Sequence, residues 1–281
     1  MDGDIPEAFY EPLGPGRAAG EGAGGERAGG ERFASTRATA GPWSPSLQHA
    51  GPVAGLMGRA FERTEPMPGT RIARVTMEIL SPVPVAELEI TTRVVRPGRR
   101  IALLEGEMAH EGRTVVRATA WRIRRAPAEV PGTVHAPAPP PLPDARKAFT
   151  TTGLHTHGYL SAMEWRPVEG SFFQPGPGTT WARSRVPLVA GEPDTPLVRA
   201  LVVADSASGV GSQLDVSKWL IVNTDLTVAL HRDPVGEWLC MAASLSVSPE
   251  GGALCEATLA DGDGEFGRVL QTMIVDELPA S

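Results

Sequence analysis

The amino-acid sequence predicts an α+β protein made of two similar halves, each an antiparallel sheet packed against one helix. Three observations support this prediction. Each half begins with short strands, passes through one helix and ends with several long strands. A shift of 150 positions superimposes the two sets of long strands and brings Pro84-Val85-Ala86-Glu87 onto Pro234-Val235-Gly236-Glu237, and Gly112 onto Gly262. A proline-rich interruption lies between the halves.

The first half is predicted to contain one long helix and four long strands. Apolar residues recur at spacings of three and four across 53–61, so a helix is predicted over 46–61. Short strands are predicted before it, near 8–13 and 32–38. The long strands that follow are predicted at 72–80, 86–96, 101–110 and 114–124, because credible turns separate them.

The second half repeats this order, and its helix carries a carboxylate on the apolar stripe. Thr195 can cap the helix and Pro196 suits its first position. The stripe then runs through Leu197 and Leu201, and Asp205 is its next member. A buried carboxylate needs partners or a use, so Asp205 is a candidate functional residue; the alternative is a frayed helix end with a solvated side chain. The strands are predicted at 219–231, 238–247, 253–260 and 267–275.

Composition excludes several classes of protein. The net charge of −7, without a long Lys/Arg run, argues against nucleic acid as a partner. Cys240 and Cys255 form no C-x-x-C pair, and no metal site is predicted. Because no apolar run is long enough to span a bilayer and no signal peptide is recognisable, we expect a cytoplasmic protein without a membrane span.

Segments of low complexity set the expected domain boundaries. The first domain is expected at 1–125, with a Gly-rich loop over 14–30 that is too poor in apolar residues to pack. Residues 126–146 are expected to form an extended proline-rich linker. The second domain is then expected at 147–281.

Specific residues give the chain a resemblance to a known family. They are the segment from Trp43 through Gln48-His49-Ala50-Gly51-Pro52, then Asp205, the strand Asn223-Thr224-Asp225-Leu226-Thr227 running to His231-Arg232, and Gln271. With these residues the chain resembles double hotdog proteins, and more narrowly the TesB-like type II acyl-CoA thioesterases. A hotdog is a curved antiparallel sheet wrapped around a helix, and two in one chain imitate a dimer of single hotdogs.

The resemblance implies a catalytic set of Asp205, Asn223 and Gln271. Asp205 would act as general base, while the two carboxamides would hold a water molecule for attack on a thioester. The middle residue differs from relatives that use threonine there, since Thr224 lies one place further on and would point to the other face. Candidate substrate-binding residues are His49, Gly51, Thr224 and Arg232.

Two further positions follow from comparing the halves. His49 lies at roughly the helix position that Asp205 has in the second half, and Gln271 corresponds to Trp121. The two halves have therefore diverged at these positions, as expected if one half keeps a catalytic site and the corresponding site in the other half is degenerate.

The expected activity is hydrolysis of an acyl-CoA to a free acid and coenzyme A, with no cofactor because coenzyme A is part of the substrate. One alternative is a hotdog protein that binds acyl-CoA without turnover. Another is a hotdog enoyl-CoA hydratase or dehydratase, although the Asp-x-Asn-Pro-x-His signature of those enzymes is missing. Because each half would expose sheet edges, a homodimer or higher homo-oligomer is expected.

Overall fold

A computed structural model describes residues 5–15, 30–133, 137–144, 154–172 and 174–278. In the first half these residues form β1 Tyr10–Pro15, β2 Glu31–Ser35, a 3-10 turn Arg37–Thr39, α1 Ala50–Arg63, β3 Thr70–Ile79, β4 Glu87–Arg96, β5 Ile101–His110 and β6 Arg113–Arg124. In the second half they form α2 Tyr159–Ala162, β7 Met163–Ser171, β8 Gln174–Ser184, α3 Pro196–Ala204, α4 Ala207–Val210, β9 Trp219–Asn223, β10 Asp225–Leu230, β11 Leu239–Val247, β12 Gly252–Asp261 and β13 Gly264–Glu277.

The strands of both halves join into one antiparallel sheet. Its order is β1-β2-β4-β5-β6-β3-β10-β13-β12-β11-β8-β7, and β9 pairs with β13 beside β10. The pairing of β3 with β10 connects the two halves. The inward side chains of both halves share one core with α1 and α3, which is the predicted α+β arrangement. Of the predicted Gly-rich loop, residues 14–15 belong to β1 and 16–29 lie outside the described residues.

The two long helices pack directly on each other and run antiparallel. Gly51, near the start of α1, faces Val202 near the end of α3, while Gly58 faces Leu197 and Leu201. A Cβ atom added to Gly51 would lie 2.4 Å from the carbonyl oxygen of Val202, and one added to Gly58 would lie 2.2 Å from a methyl of Leu201. The glycines on this face of α1 therefore allow the close approach of the helices.

Both helix starts are capped by side chains. The Thr195 hydroxyl accepts a hydrogen bond from the Val198 N–H at 3.2 Å, as predicted for α3. In α1 the cap is His49, so the helix begins four residues later than the predicted start at 46. Leu47 and Gln48 instead form β-bridges to Pro84 and Ala40, which hold the preceding segment extended.

The repeat between the halves has an offset of 151 residues rather than the predicted 150. The hairpin closed by His110 and Arg113 corresponds to the one closed by Asp261 and Gly264. The same offset relates the irregularity after Met108 to the one after Leu259. Because side chains alternate between the faces of a strand, a slip of one residue assigns every position to the wrong face.

The predicted strand over 219–231 is interrupted at Thr224. The Thr224 N–H donates to the Thr272 carbonyl at 2.9 Å, and the Thr272 N–H donates to the Asp225 carboxylate at 2.8 Å. A side chain thus replaces a backbone acceptor, and the chain divides into β9 and β10. This interruption places Asn223 at the end of β9.

The proline-rich segment 137–144 lies against the second half. The Trp181 indole N–H donates to the Pro140 carbonyl at 3.0 Å, and the Arg166 guanidinium donates to the Pro143 carbonyl at 2.8 Å. Leu142 packs beside Trp181. This part of the expected linker is held by specific contacts, while residues 134–136 and 145–146 lie outside the described ranges. Among the described helices, none has the length and apolar character required to cross a membrane.

Candidate active site

Asp205 is buried where α3 ends. The helix closes at Ala204, and Asp205 is its C-cap with φ −66° and ψ −15°. Only 5% of the residue is exposed. The helix therefore ends before Asp205, but the carboxylate turns into the interior rather than into solvent.

One oxygen of the Asp205 carboxylate accepts hydrogen bonds from two carboxamides. The Asn223 Nδ2 donates to Oδ1 at 2.9 Å, and the Gln271 Nε2 donates to the same atom at 3.0 Å. Asn223 is the last residue of β9. Gln271 lies on the inward face of β13, where it is completely buried. The structure thus brings together all three residues of the predicted catalytic set.

The second oxygen of Asp205 faces His49 at the start of α1. His49 Nδ1 lies 3.1 Å from Asp205 Oδ2 and accepts a hydrogen bond from the Gly51 N–H at 3.0 Å. Burial lowers the pKa of His49, and the nearby Asp205 opposes this effect. The repeat predicted that His49 would occupy the helix position that Asp205 has in the second half, and this prediction is wrong. The two residues meet because the helices are antiparallel, so that the start of α1 lies beside the end of α3.

Gln271 also presents an oxygen without a protein partner. Its Oε1 is buried and faces no hydrogen-bond donor in the part of the chain that the structure describes. Because buried acceptors are normally satisfied, this atom is available to accept a hydrogen bond from a water molecule. Together with Asp205 Oδ2, it provides a second acceptor oxygen at the site.

Thr224 and Arg232, two of the predicted substrate-binding residues, lie outside this cluster. Thr224 is exposed, and its hydroxyl donates to the Thr272 carbonyl at 3.2 Å. Arg232 binds both carboxylate oxygens of Asp261 at 2.6 Å and also donates to the Gly264 carbonyl. Strand alternation turns Thr224 away from Asp205, while a buried partner occupies the guanidinium of Arg232.

Tyr159 is a neighbour of the site that sequence reasoning missed. Its ring stacks on the His49 imidazole, with centroids 3.8 Å apart and planes at 11°. The hydroxyl donates to the Val202 carbonyl at 2.7 Å and lies 2.8 Å from the Ser206 hydroxyl. Neither periodicity nor a motif marks Tyr159, which stands in the short helix α2. The one feature of the sequence that could have drawn attention to it is that the chain has only two tyrosines.

The opposite end of the helix pair carries different residues. With the offset of 151, Asn223 corresponds to Ile72 and Gln271 to Ala120, not to Trp121 as predicted. Arg59 lies near that end, in ion pairs with Glu192 at 2.7 Å and Glu31 at 2.8 Å. The carboxamide pair is therefore not repeated there. Within the described ranges, no group of three His, Cys, Asp or Glu residues is arranged to hold a metal ion.

Solved structures with the same fold confirm the double hotdog prediction. A hot dog fold protein of unknown function from Alicyclobacillus acidocaldarius matches with a TM-score of 0.70 and 18% identity, covering 89% of this chain and 94% of its own. A tesB protein from Mycobacterium avium subs paratuberculosis matches with a TM-score of 0.63 and 19% identity, and the match covers 87% of this chain and 92% of the tesB chain. The acyl-CoA thioesterase II TesB2 from Mycobacterium marinum matches with a TM-score of 0.59 and 15% identity, and the match covers 80% of this chain and 89% of the TesB2 chain. No curated protein matches the chain. The molecule is thus a double hotdog protein with a buried acid–carboxamide cluster.

Family models assign the two halves separately. Residues 39–123 match the acyl-CoA thioesterase N-terminal domain, and residues 133–275 match the acyl-CoA thioesterase C-terminal domain. The chain therefore belongs to the acyl-CoA thioesterase family and is a thioester hydrolase. The predicted resemblance to TesB-like proteins is confirmed.

Proposed function

We propose that the chain hydrolyses an acyl-CoA to a free acid and coenzyme A, by attack of a water molecule that Asp205 activates. The observation that supports this mechanism is the buried carboxylate with one oxygen held by Asn223 and Gln271. Its other oxygen makes no contact with those carboxamides and remains the base. A carboxylate fixed in this way loses little freedom when it takes a proton, as general base catalysis requires.

The proposed reaction proceeds in two steps. The water oxygen attacks the thioester carbonyl carbon while Asp205 Oδ2 takes one water proton, which gives a tetrahedral intermediate. The C–S bond then breaks, and the departing sulfur receives the proton from Asp205. The products are a carboxylic acid and a thiol, and Asp205 returns to its initial state. The steps use water and protein groups, without a cofactor.

The two carboxamides have different parts in this proposal. Both NH₂ groups hold the acid itself, rather than only the water as the sequence comparison suggested. Gln271 Oε1 can in addition accept the second hydrogen of the attacking water, because it has no protein donor. A water that donates to Asp205 and to Gln271 keeps a lone pair free for the carbonyl carbon.

His49 and Gly51 support the acid in this proposal. The Gly51 N–H holds the imidazole, and the imidazole faces Oδ2. We retain neither Thr224 nor Arg232 as substrate-binding residues.

The test is thiol release from an acyl-CoA series of increasing chain length, measured with a thiol-reactive chromophore. In water enriched in oxygen-18, one heavy oxygen should enter the released acid. The Asp205→Asn variant can keep both carboxamide contacts, so it should fold and bind acyl-CoA yet lose most of its turnover. Asp194→Asn is the matched control, since Asp194 is a half-buried acid near the opposite end of α3 whose carboxylate accepts the Leu188 N–H.

Three results would contradict the proposal. Saturable acyl-CoA binding without thiol release would indicate a binding protein, and loss of enoyl-CoA absorbance without thiol release would indicate a hydratase. Unchanged turnover in Asp205→Asn would contradict the role of the acid even if hydrolysis occurs.

A cytoplasmic location and a homo-oligomer are also part of the proposal. Assembly is supported by the sheet itself, whose order ends at β1 and β7 and leaves edges to be covered. Analytical ultracentrifugation of the full chain would contradict the oligomer if only a monomer sedimented across micromolar concentrations.

A further inference from the structure

Tyr159 is buried among groups that surround the acid, and its hydroxyl both donates and accepts a hydrogen bond there. The phenol has one hydrogen, which it donates to the Val202 carbonyl at 2.7 Å. The Ser206 hydroxyl at 2.8 Å therefore donates to the phenol oxygen. Carbonyls in the last turn of a helix lack an intrahelical partner, so the phenol supplies one at the end of α3. Burial raises the pKa of Tyr159 far above its ordinary value, which keeps the phenol neutral.

The same side chain also fixes the imidazole that faces the acid. Its ring lies parallel to His49 at 3.8 Å, while Trp165 and Phe9 contact it at centroid distances of 6.1 and 6.3 Å. Tyr159 thus contacts His49 on one side and the residues around Asp205 on the other. A tyrosine that merely filled the core would not need to touch both.

We propose that Tyr159 is a positioning residue that holds the His49 imidazole and the end of α3 in register, and so directs Asp205 Oδ2 towards the attacking water. This inference rests on the proposed function. The imidazole ring encloses Asp205 Oδ2 on one side, with Nδ1 3.1 Å away, and movement of the ring would open that side. With Oδ2 no longer enclosed on that side, the carboxylate could rotate about its Cβ–Cγ bond. Misplacement of a reacting group by 1 Å can lower a rate about 100-fold.

The first test separates turnover from binding. Tyr159→Phe keeps the stacked ring and removes the hydroxyl, whereas Tyr159→Leu removes both. We expect kcat to fall about tenfold in Tyr159→Phe and about 100-fold in Tyr159→Leu, with KM within about twofold of the wild type. The control is Tyr10→Phe, which deletes the same atom from an equally buried tyrosine whose hydroxyl donates to Gln48 Oε1 at 2.6 Å. It should keep the wild-type kcat.

The second test does not require activity. NMR titration of the imidazoles, with His49 assigned from a His49→Gln variant, measures its pKa in the full chain. The charged or titratable groups facing this imidazole are Asp205, from the end of α3, and Tyr159, from α2. Removing the ring in Tyr159→Leu uncovers the imidazole, so its lowered pKa should rise; Tyr10→Phe should leave it unchanged.

An unchanged His49 titration together with an unchanged kcat in Tyr159→Leu would overturn the inference. If the wild type released no thiol from any acyl-CoA, the proposed function would fail. The titration would still report whether Tyr159 positions His49, so the two failures are distinguishable.

Discussion

The substitution Gln271→Met tests whether the buried carboxamide serves chemistry rather than stability. Methionine has a similar length and no branching, so it can fill the same space on the inward face of β13. It removes the Nε2 donor to Asp205 Oδ1 at 3.0 Å and also the Oε1 atom that has no protein donor. These two losses act on stability with opposite signs.

The expected change in the free energy of unfolding is small. A hydrogen bond to a charged group contributes about 1.5–3 kcal/mol, whereas an unpartnered buried polar atom costs about 1–3 kcal/mol. The two contributions nearly cancel, and we expect a net change within about 1.5 kcal/mol. Turnover should respond differently, because the variant loses one contact to the base and the acceptor for the water. A fall in kcat/KM of about 100- to 1,000-fold is expected for a damaged general base site.

Urea denaturation and thiol release, measured on the same preparation, test both parts. Leu270→Met is the matched control, since Leu270 is the preceding residue of β13 and points to the exposed face. It should keep both stability and turnover. Retention of wild-type kcat/KM by Gln271→Met would refute the role of the carboxamide. A loss of several kcal/mol would instead identify Gln271 as a structural residue.

Three further predictions address the helix contact, strand alternation and the buried ion pair. Gly58→Ala should destabilise the protein by about 1–3 kcal/mol in thermal melts, because the added methyl would lie 2.2 Å from a leucine methyl on α3, although alanine normally favours a helix interior over glycine. Asn223→Leu should lower kcat/KM about 10- to 100-fold through loss of a bond to the acid, while Thr224→Val should leave it near the wild type. Arg232→Met should destabilise the protein by about 1.5–3 kcal/mol at neutral pH, because the buried Asp261 carboxylate loses its guanidinium partner and keeps the N–H groups of Val235 and Asp263. Burial raises the pKa of Asp261, but hydrogen bonds, first that from Arg232, outweigh this and lower it overall. The stabilisation is therefore present above the unfolded pKa of about 3.9 and lost as the pH falls through the lower folded value, so the difference in urea denaturation between wild type and variant should shrink as the solution is made more acidic.

Most of the strands and the start of α3 could be predicted because their signals are local. Alternation of apolar residues and the turns between them define β5 as predicted and β3, β4 and β6 within two residues. Thr195 and Pro196 mark the start of α3 through their own chemistry. The start of α1 was missed because bridges to distant segments, those of Leu47 and Gln48, decide it.

The register between the halves required the structure. A shift of 150 aligned the Pro-Val-x-Glu boxes and the turn glycines, yet the hydrogen-bond ladder gives 151. A two-residue turn accepts glycine at either position, as Glu111-Gly112 and Gly262-Asp263 show. Turn residues therefore cannot resolve a slip of one position, whereas the inward or outward direction of Gln271 can.

In the candidate site, Asp205 could be found from the apolar stripe of its helix, whereas Asn223 and Gln271 followed from the resemblance to the thioesterase family. The role of Arg232 was not accessible in this way. A guanidinium can bind a phosphate or a carboxylate with the same geometry, and only the fold shows that Asp261 is its partner. Tyr159 was inaccessible for a related reason, since its contacts with His49 and Val202 join three separate elements.

The antiparallel helix pair explains why one end can be specialised for chemistry. Close packing through Gly51, Gly55 and Gly58 holds α1 and α3 side by side as a pair with two ends. At one end the strands supply Asn223 and Gln271; at the corresponding positions near the other they supply Ile72 and Ala120. Ile72 and Ala120 offer no side-chain hydrogen-bond donor, so an acid placed there as Asp205 is placed would lack its two carboxamide partners. The Arg59 ion pairs and the acid cluster therefore serve separate ends of the same helix pair, and a change in one need not disturb the other.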